Sequence, residues 1–75
     1  MIDLNKLIEI VAESTGADVS SLTEDTNSSE IDGWDSLGHL QILSMLRDHF
    51  GEDYEEDPDL ASAVSIKEIY DILNR

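Results

Sequence analysis

A chain of 75 residues with 18 acidic side chains against four basic ones, for a net charge of −14, argues against binding nucleic acid or an anionic membrane. It suits partners that present basic patches. The length allows one small domain, residues 1–75, near the lower limit for a core without staples. The lack of cysteine removes disulfides and thiolate metal sites.

No stretch reads as a membrane span, and Met1-Ile2-Asp3-Leu4 lacks the basic start of a signal peptide. A soluble, cytoplasmic monomer is expected. Its own charge opposes compaction, so stability should rise with salt or divalent cations.

The first helix is predicted from about Asp3 to Ser14. Leu4, Leu7, Ile8 and Val11 form one stripe, Asn5, Lys6, Glu9 and Glu13 lie opposite, and Gly16 is the stop. Ala17 to Asp35 is a long polar loop, pinned by Val19, Leu22 and Ile31; loops of this length are often functional. A second helix runs from Ser36 to about Phe50, with Ile42, Leu43, Leu46 and Phe50 at helical spacing and Gly51 ending it.

An acidic connector, Glu52 to Asp59, follows. Within it Asp57-Pro58 reads as the cap and first residue of a short helix through Leu60 and Ala63. Ser65-Ile66-Lys67-Glu68 matches a capping box, with Val64 and Ile69 as a hydrophobic staple and Ile66, Ile69, Tyr70 and Leu73 as the last stripe. Nothing alternates as a strand does. The fold class is all-α: a small bundle of three main amphipathic helices plus one short helix, with a long first loop.

The candidate chemistry gathers at Gly33-Trp34-Asp35-Ser36-Leu37. Asp35 is placed to cap the second helix, leaving the Ser36 hydroxyl in a first turn whose free amides and dipole favour a phosphate. Leu37, Gln41, Ser44 and Asp48, with Met45 at the edge, line the helix face away from the core and read as a docking strip for enzymes that must reach that serine. Trp34 is either a further docking contact or a residue that packs the loop onto the bundle.

Other chemistry is weaker. His39, one turn after Ser36, would make a dyad without an orienting third group or an oxyanion hole; the mouth of the bundle is its expected place. His49 reads as a surface residue at the helix end. Asp25, Asn27 and Ser29 begin like a calcium loop, but its sixth position is Glu30 and its twelfth Ser36, so a dedicated metal site is not expected. Loose divalent binding to Glu52, Asp53, Glu55, Glu56, Asp57 and Asp59 is the alternative to a solvated charge run.

With those residues in place, the chain resembles the acyl carrier proteins over essentially its whole length. The resemblance rests on the first helix, the loop segment Leu22-Thr23-Glu24-Asp25-Thr26 and the Gly33-Trp34-Asp35-Ser36-Leu37 signature. It continues through the acidic connector and the last helix after Val64-Ser65-Ile66. Peptidyl carriers of the nonribosomal type typically carry Gly-Gly-His-Ser or Gly-Gly-Asp-Ser at the signature, which this chain does not.

The resemblance implies that Ser36, flanked by Asp35 and Leu37, receives 4′-phosphopantetheine from coenzyme A through a separate phosphopantetheinyl transferase. The arm's thiol then holds acyl intermediates as thioesters for the acyl-loading and acyl-processing enzymes of a fatty-acid, polyketide or other specialised pathway. It also implies an acyl tunnel near Ile42, Leu43, Leu46, Phe50, Ala63 and Ile66.

Fatty-acid-synthesis carriers tend to be acidic along this helix. Here Gly38, Gln41, Ser44 and Arg47 occupy that surface, and Asp48 is the only acid between Leu37 and Phe50. That departure points to a specialised pathway. The competing readings are an unmodified acidic helical adaptor for a basic protein partner and, behind it, an enzyme using Ser36 and His39.

Overall fold

A computed structural model describes residues 2–52 and 54–75; Met1 and Asp53 of the acidic connector lie outside the described residues. Helix α1 spans Leu4–Thr15, α2 Ser36–Phe50, α3 Pro58–Ala61 and α4 Ile66–Leu73. Single 3-10 turns stand at Val19–Ser21, Ser28–Glu30 and Tyr54–Glu56. The all-α bundle of three main helices and one short one is therefore what the chain forms.

Each helix begins where a short polar side chain accepts from its own first turn. Asp3 accepts from the Asn5 amide, Asp35 from Gly38, Asp57 from Asp59 and Leu60, and Ser65 from Glu68, which satisfies donors that a helix start otherwise strands. Two helices end on a left-handed glycine, Gly16 at φ 79° and Gly51 at φ 80°, a conformation that a side chain would strain. Glu68 reaches back to the Val64 amide at 2.7 Å, so the box at α4 closes one residue earlier than the standard pattern. Val64 does not tuck in as a staple: it is 45% exposed.

Leu7, Ile10 and Val11 of α1 meet Ile42, Leu43 and Leu46 of α2, with Leu60, Ile66 and Ile69 completing a core in which every one of these side chains is essentially sealed. The sequence reading of α1 missed Ile10, and it set Leu4 and Ile8 in the stripe. Both are only partly buried, because the stripe facing the core is centred on Leu7, Ile10, Val11 and Ser14. Each sealed Leu or Ile contributes about 1.5–3 kcal/mol relative to exposure. Ser14, buried on α1, donates to the Met45 sulfur on α2 at 3.0 Å.

The first loop is stitched down by its backbone. The Ser28 amide donates to the Val64 carbonyl (2.6 Å), Ile66 to Thr26 (3.2 Å) and Lys67 to Glu24 (2.9 Å), with an antiparallel bridge between Asn27 and Ser65. The loop thus borrows unpaired amides from the start of α4, and α4 is anchored in return. No helix among the described residues is long and apolar enough to cross a membrane.

Candidate functional site

The turn that presents Ser36 is built from close backbone approach. A Cβ on Gly33 would lie 1.9 Å from the Thr15 carbonyl oxygen, and one on Gly38 would lie 2.1 Å from the Gly33 carbonyl oxygen. Neither gap admits any side chain, so the end of α1, the loop and the start of α2 stack backbone on backbone. Gly38 is consequently buried. This corrects its placement on the outer face of α2 and explains why a helix tolerates a glycine there.

Ser36 is the first residue of α2 and is exposed. The Asp35 carboxylate accepts from the Gly38 amide at 2.9 Å, and the His39 amide donates to the Asp35 carbonyl at 2.9 Å. Among the described residues the amides of Ser36 and Leu37 have no acceptor, which leaves two donors and the positive helix end beside the hydroxyl. Glu30, Asp32 and Asp35 are all exposed around this turn, a negative rim for a basic partner.

Trp34 settles the choice that the sequence left open. It is 6% exposed, and its indole Nε1–H donates to His39 Nδ1 at 3.0 Å, the rings only 14° from parallel. It is a packing residue rather than an exposed docking contact, with only a small part of the indole reaching the surface. Because the indole can only donate, Nδ1 must accept. The imidazole proton then sits on Nε2, which donates to the Leu60 carbonyl at 2.7 Å. With both ring nitrogens engaged, His39 has no lone pair for the Ser36 hydroxyl, and the dyad reading fails on geometry.

The remaining docking residues divide. Leu37 is 66% exposed, and Gln41 and Asp48 are exposed with it, while Ser44 is half-buried. Met45 is turned toward α1 by its contact with Ser14 and does not edge the strip. Leu40, 53% exposed, belongs to the outer face and was missed; its three-residue spacing from Leu37 was the available signal.

Of the residues expected around an acyl tunnel, Ile42, Leu43, Leu46, Ala63 and Ile66 are buried. Phe50 is not: it is 40% exposed, its ring tilted against His49 at 6.2 Å.

Beside Ser36 a groove of about 540 Å³ opens to solvent between the first turns of α2 and the α3 segment. Trp34, His39, Leu40, Leu43, Ala63 and Val64 form its apolar walls, with Ser28, Asp35, Ser36 and Ser62 at the rim. Another hollow of about 420 Å³ lies against α1, lined by Lys6, Glu9, Glu13 and His49. It does not include Ser36, and its wall mixes those side chains with Ile10, Ala12, Ala17 and Val19. The α3 wall of the Ser36 groove is held from two sides, by His39 at Leu60 and by Arg75, whose guanidinium meets Asp59 at 2.8 Å and Asp57 at 3.4 Å. The hydrogen bond to Asp59 raises the Arg75 pKa further, although so exposed a pair adds little stability.

An exposed serine at a capped helix start, with free amides and an apolar groove beside it, is the arrangement a phosphate-linked arm requires. Residues 5–73 match the family described as the phosphopantetheine attachment site. The chain belongs to that family, the one in which acyl carrier proteins fall, and the prosthetic group the family implies is 4′-phosphopantetheine. It is similar to the acyl carrier proteins of two Rickettsia bellii strains. Against that of strain RML369-C it is 28% identical over 69 residues, covering 92% of this chain and 76% of the relative. Against that of strain OSU 85-389 it is 29% identical over 69 residues, covering 92% and 80%. No solved structure matches the chain closely. The family's role is that of a carrier rather than a catalyst, working with a phosphopantetheinyl transferase and acyl-processing enzymes.

Proposed function

We propose that this chain is a single-domain, monomeric, cytoplasmic acyl carrier whose Ser36 hydroxyl is the attachment point of 4′-phosphopantetheine. The observation that carries the reading is the geometry at Ser36: an exposed hydroxyl, the Asp35 cap directed to Gly38, and the Ser36 and Leu37 amides left for a phosphodiester. When bound, the group supplies a thiol on a flexible arm, which a chain without cysteine cannot offer, and holds acyl groups as thioesters at high local concentration for whichever enzyme has docked. Asp35 orients the turn, Ser36 bears the linkage, and the amides stabilise its negative charge.

Partners meet two different surfaces. The exposed acids of the first loop attract a basic patch, while Leu37 and Leu40 offer apolar contact on a helix face that carries only Arg47 and Asp48 as opposite charges. That near-neutral face favours enzymes of a specialised pathway over those of bulk fatty-acid synthesis. The protein incubated with coenzyme A and a broad-specificity phosphopantetheinyl transferase should gain the mass of one phosphopantetheine. Ser36→Ala should gain none, and labelling of that variant would refute the assignment.

A further inference from the structure

We infer that His39 is a positioning residue for the modification of Ser36, and that it serves this role only while its ring is neutral. The inference rests on Ser36 being the attachment point and concerns what holds that hydroxyl in place. Ser36 lies in sequence between Trp34 and His39, whose side chains are joined at 3.0 Å, so one side-chain bond brackets residues 35–38. Within that bracket the Asp35 carboxylate and carbonyl take the Gly38 and His39 amides. The far nitrogen of His39 carries the fastening on to the Leu60 carbonyl and so ties the turn to α3.

Each ring nitrogen has one part to play. Nδ1 accepts from an indole that can only donate, and Nε2 donates to a carbonyl that can only accept. A second proton has no place but Nδ1, where the indole N–H already points. Two donors would then face one another, so the Trp34 arm is lost while the Leu60 arm persists. The ring centroids stand 6.2 Å apart, just beyond the roughly 6 Å at which an aromatic face steadies a cation.

No neighbouring charge makes up for that loss. Asp35 on the same helix is committed to Gly38, and Glu68 of α4 to the Val64 amide. Asp57 and Asp59 of the α3 segment are engaged by Arg75. Glu30 and Asp32 of the first loop are exposed. Among the described residues none of these carboxylates meets the His39 ring. Acid therefore acts on one bond, the one that brackets Ser36.

Two variants separate the arms. His39→Asn places an acceptor where Nδ1 stands and keeps the Trp34 arm; His39→Gln places a donor where Nε2 stands and keeps only the Leu60 arm. Labelling with coenzyme A and a phosphopantetheinyl transferase is read as kcat/KM from about pH 8 to about pH 5, the range in which histidine changes charge. At the upper end the Asn variant should label within about twofold of the parent and the Gln variant about fivefold more slowly, the worth of one hydrogen bond. Toward the lower end the parent should fall to the Gln level while the Asn variant holds. The parent-to-Asn ratio, from which the transferase's own pH dependence cancels, should therefore drop about fivefold. His49→Gln, which removes the other histidine, should follow the parent throughout. The emission of Trp34, the one tryptophan of the chain, should change over the same range in the parent and in His49→Gln, and stay constant in His39→Asn.

A parent-to-Asn ratio that is flat with pH, or a Gln variant that labels as fast as the parent, would overturn the inference while leaving attachment at Ser36 intact. Should neither His39 variant fold, the parent still decides: Trp34 emission that ignores pH, or that responds only while His49 is present, overturns it as well. A parent that gains no phosphopantetheine would overturn the attachment and this inference together.

Discussion

The two ends of α2 differ more than their sequences suggest. At the Ser36 end, three backbones touch through Gly33 and Gly38, and a chain of hydrogen bonds runs from Trp34 through His39 to Leu60. At the other end Phe50 and His49 lie exposed, and Gly51 turns the chain into the connector with a single amide bond back to Arg47. One helix therefore begins in close backbone contacts and a side-chain hydrogen-bond chain at Ser36 and ends in exposed aromatic side chains where the connector begins. The close contacts lie at the turn we propose is modified, and the apolar pattern of the helix gives no hint of that asymmetry.

Substitutions along α2 and its loop sharpen the contrast. Leu46→Ala, midway, should have the largest effect, about 2–5 kcal/mol of unfolding free energy, read from a denaturant melt; a parental midpoint would mean that Leu46 is not core. Gly33→Ala should lose roughly 1–3 kcal/mol or more by forcing the loop off Thr15. It should also slow transferase labelling beyond what the lost stability explains, because the Ser36 turn moves with the loop.

Trp34→Phe keeps the apolar bulk and deletes the indole donor. It should lose about 1–2 kcal/mol, since His39 Nδ1 is left unpaired. Phe50→Ala should be the mildest, about 1 kcal/mol or less for a ring already half in solvent. If Phe50→Ala destabilised as much as Gly33→Ala, the two ends would be equally ordered and the comparison would fail.

The helix limits were legible because caps are local chemistry: Asp3, Asp35, Asp57 and Ser65 each lie within a few residues of the donors they satisfy. The Ser36 turn was legible for the same reason. What escaped the sequence depends on neighbours distant along the chain. Gly38 reads as a cost to its helix until the Gly33 carbonyl is seen where its side chain would be. A helical wheel assigns Phe50 to the core because it gives direction along one helix but not which neighbours stand opposite, and the ring is 40% exposed. Met45 was assigned to the outer strip because nothing local reveals that Ser14 waits opposite. The stitching of the first loop to the start of α4 is likewise backbone pairing, which side-chain pattern does not encode.

One contact joins positions far apart along the sequence: the Ile2 amide donates to the Asn74 side-chain carbonyl at 2.9 Å. Segments that close in space can be spliced by a short tether, and the chain reopened at the exposed turn of Gly51. Such a circular permutant would keep every hydrogen bond around Ser36 and place the break at the far end of α2.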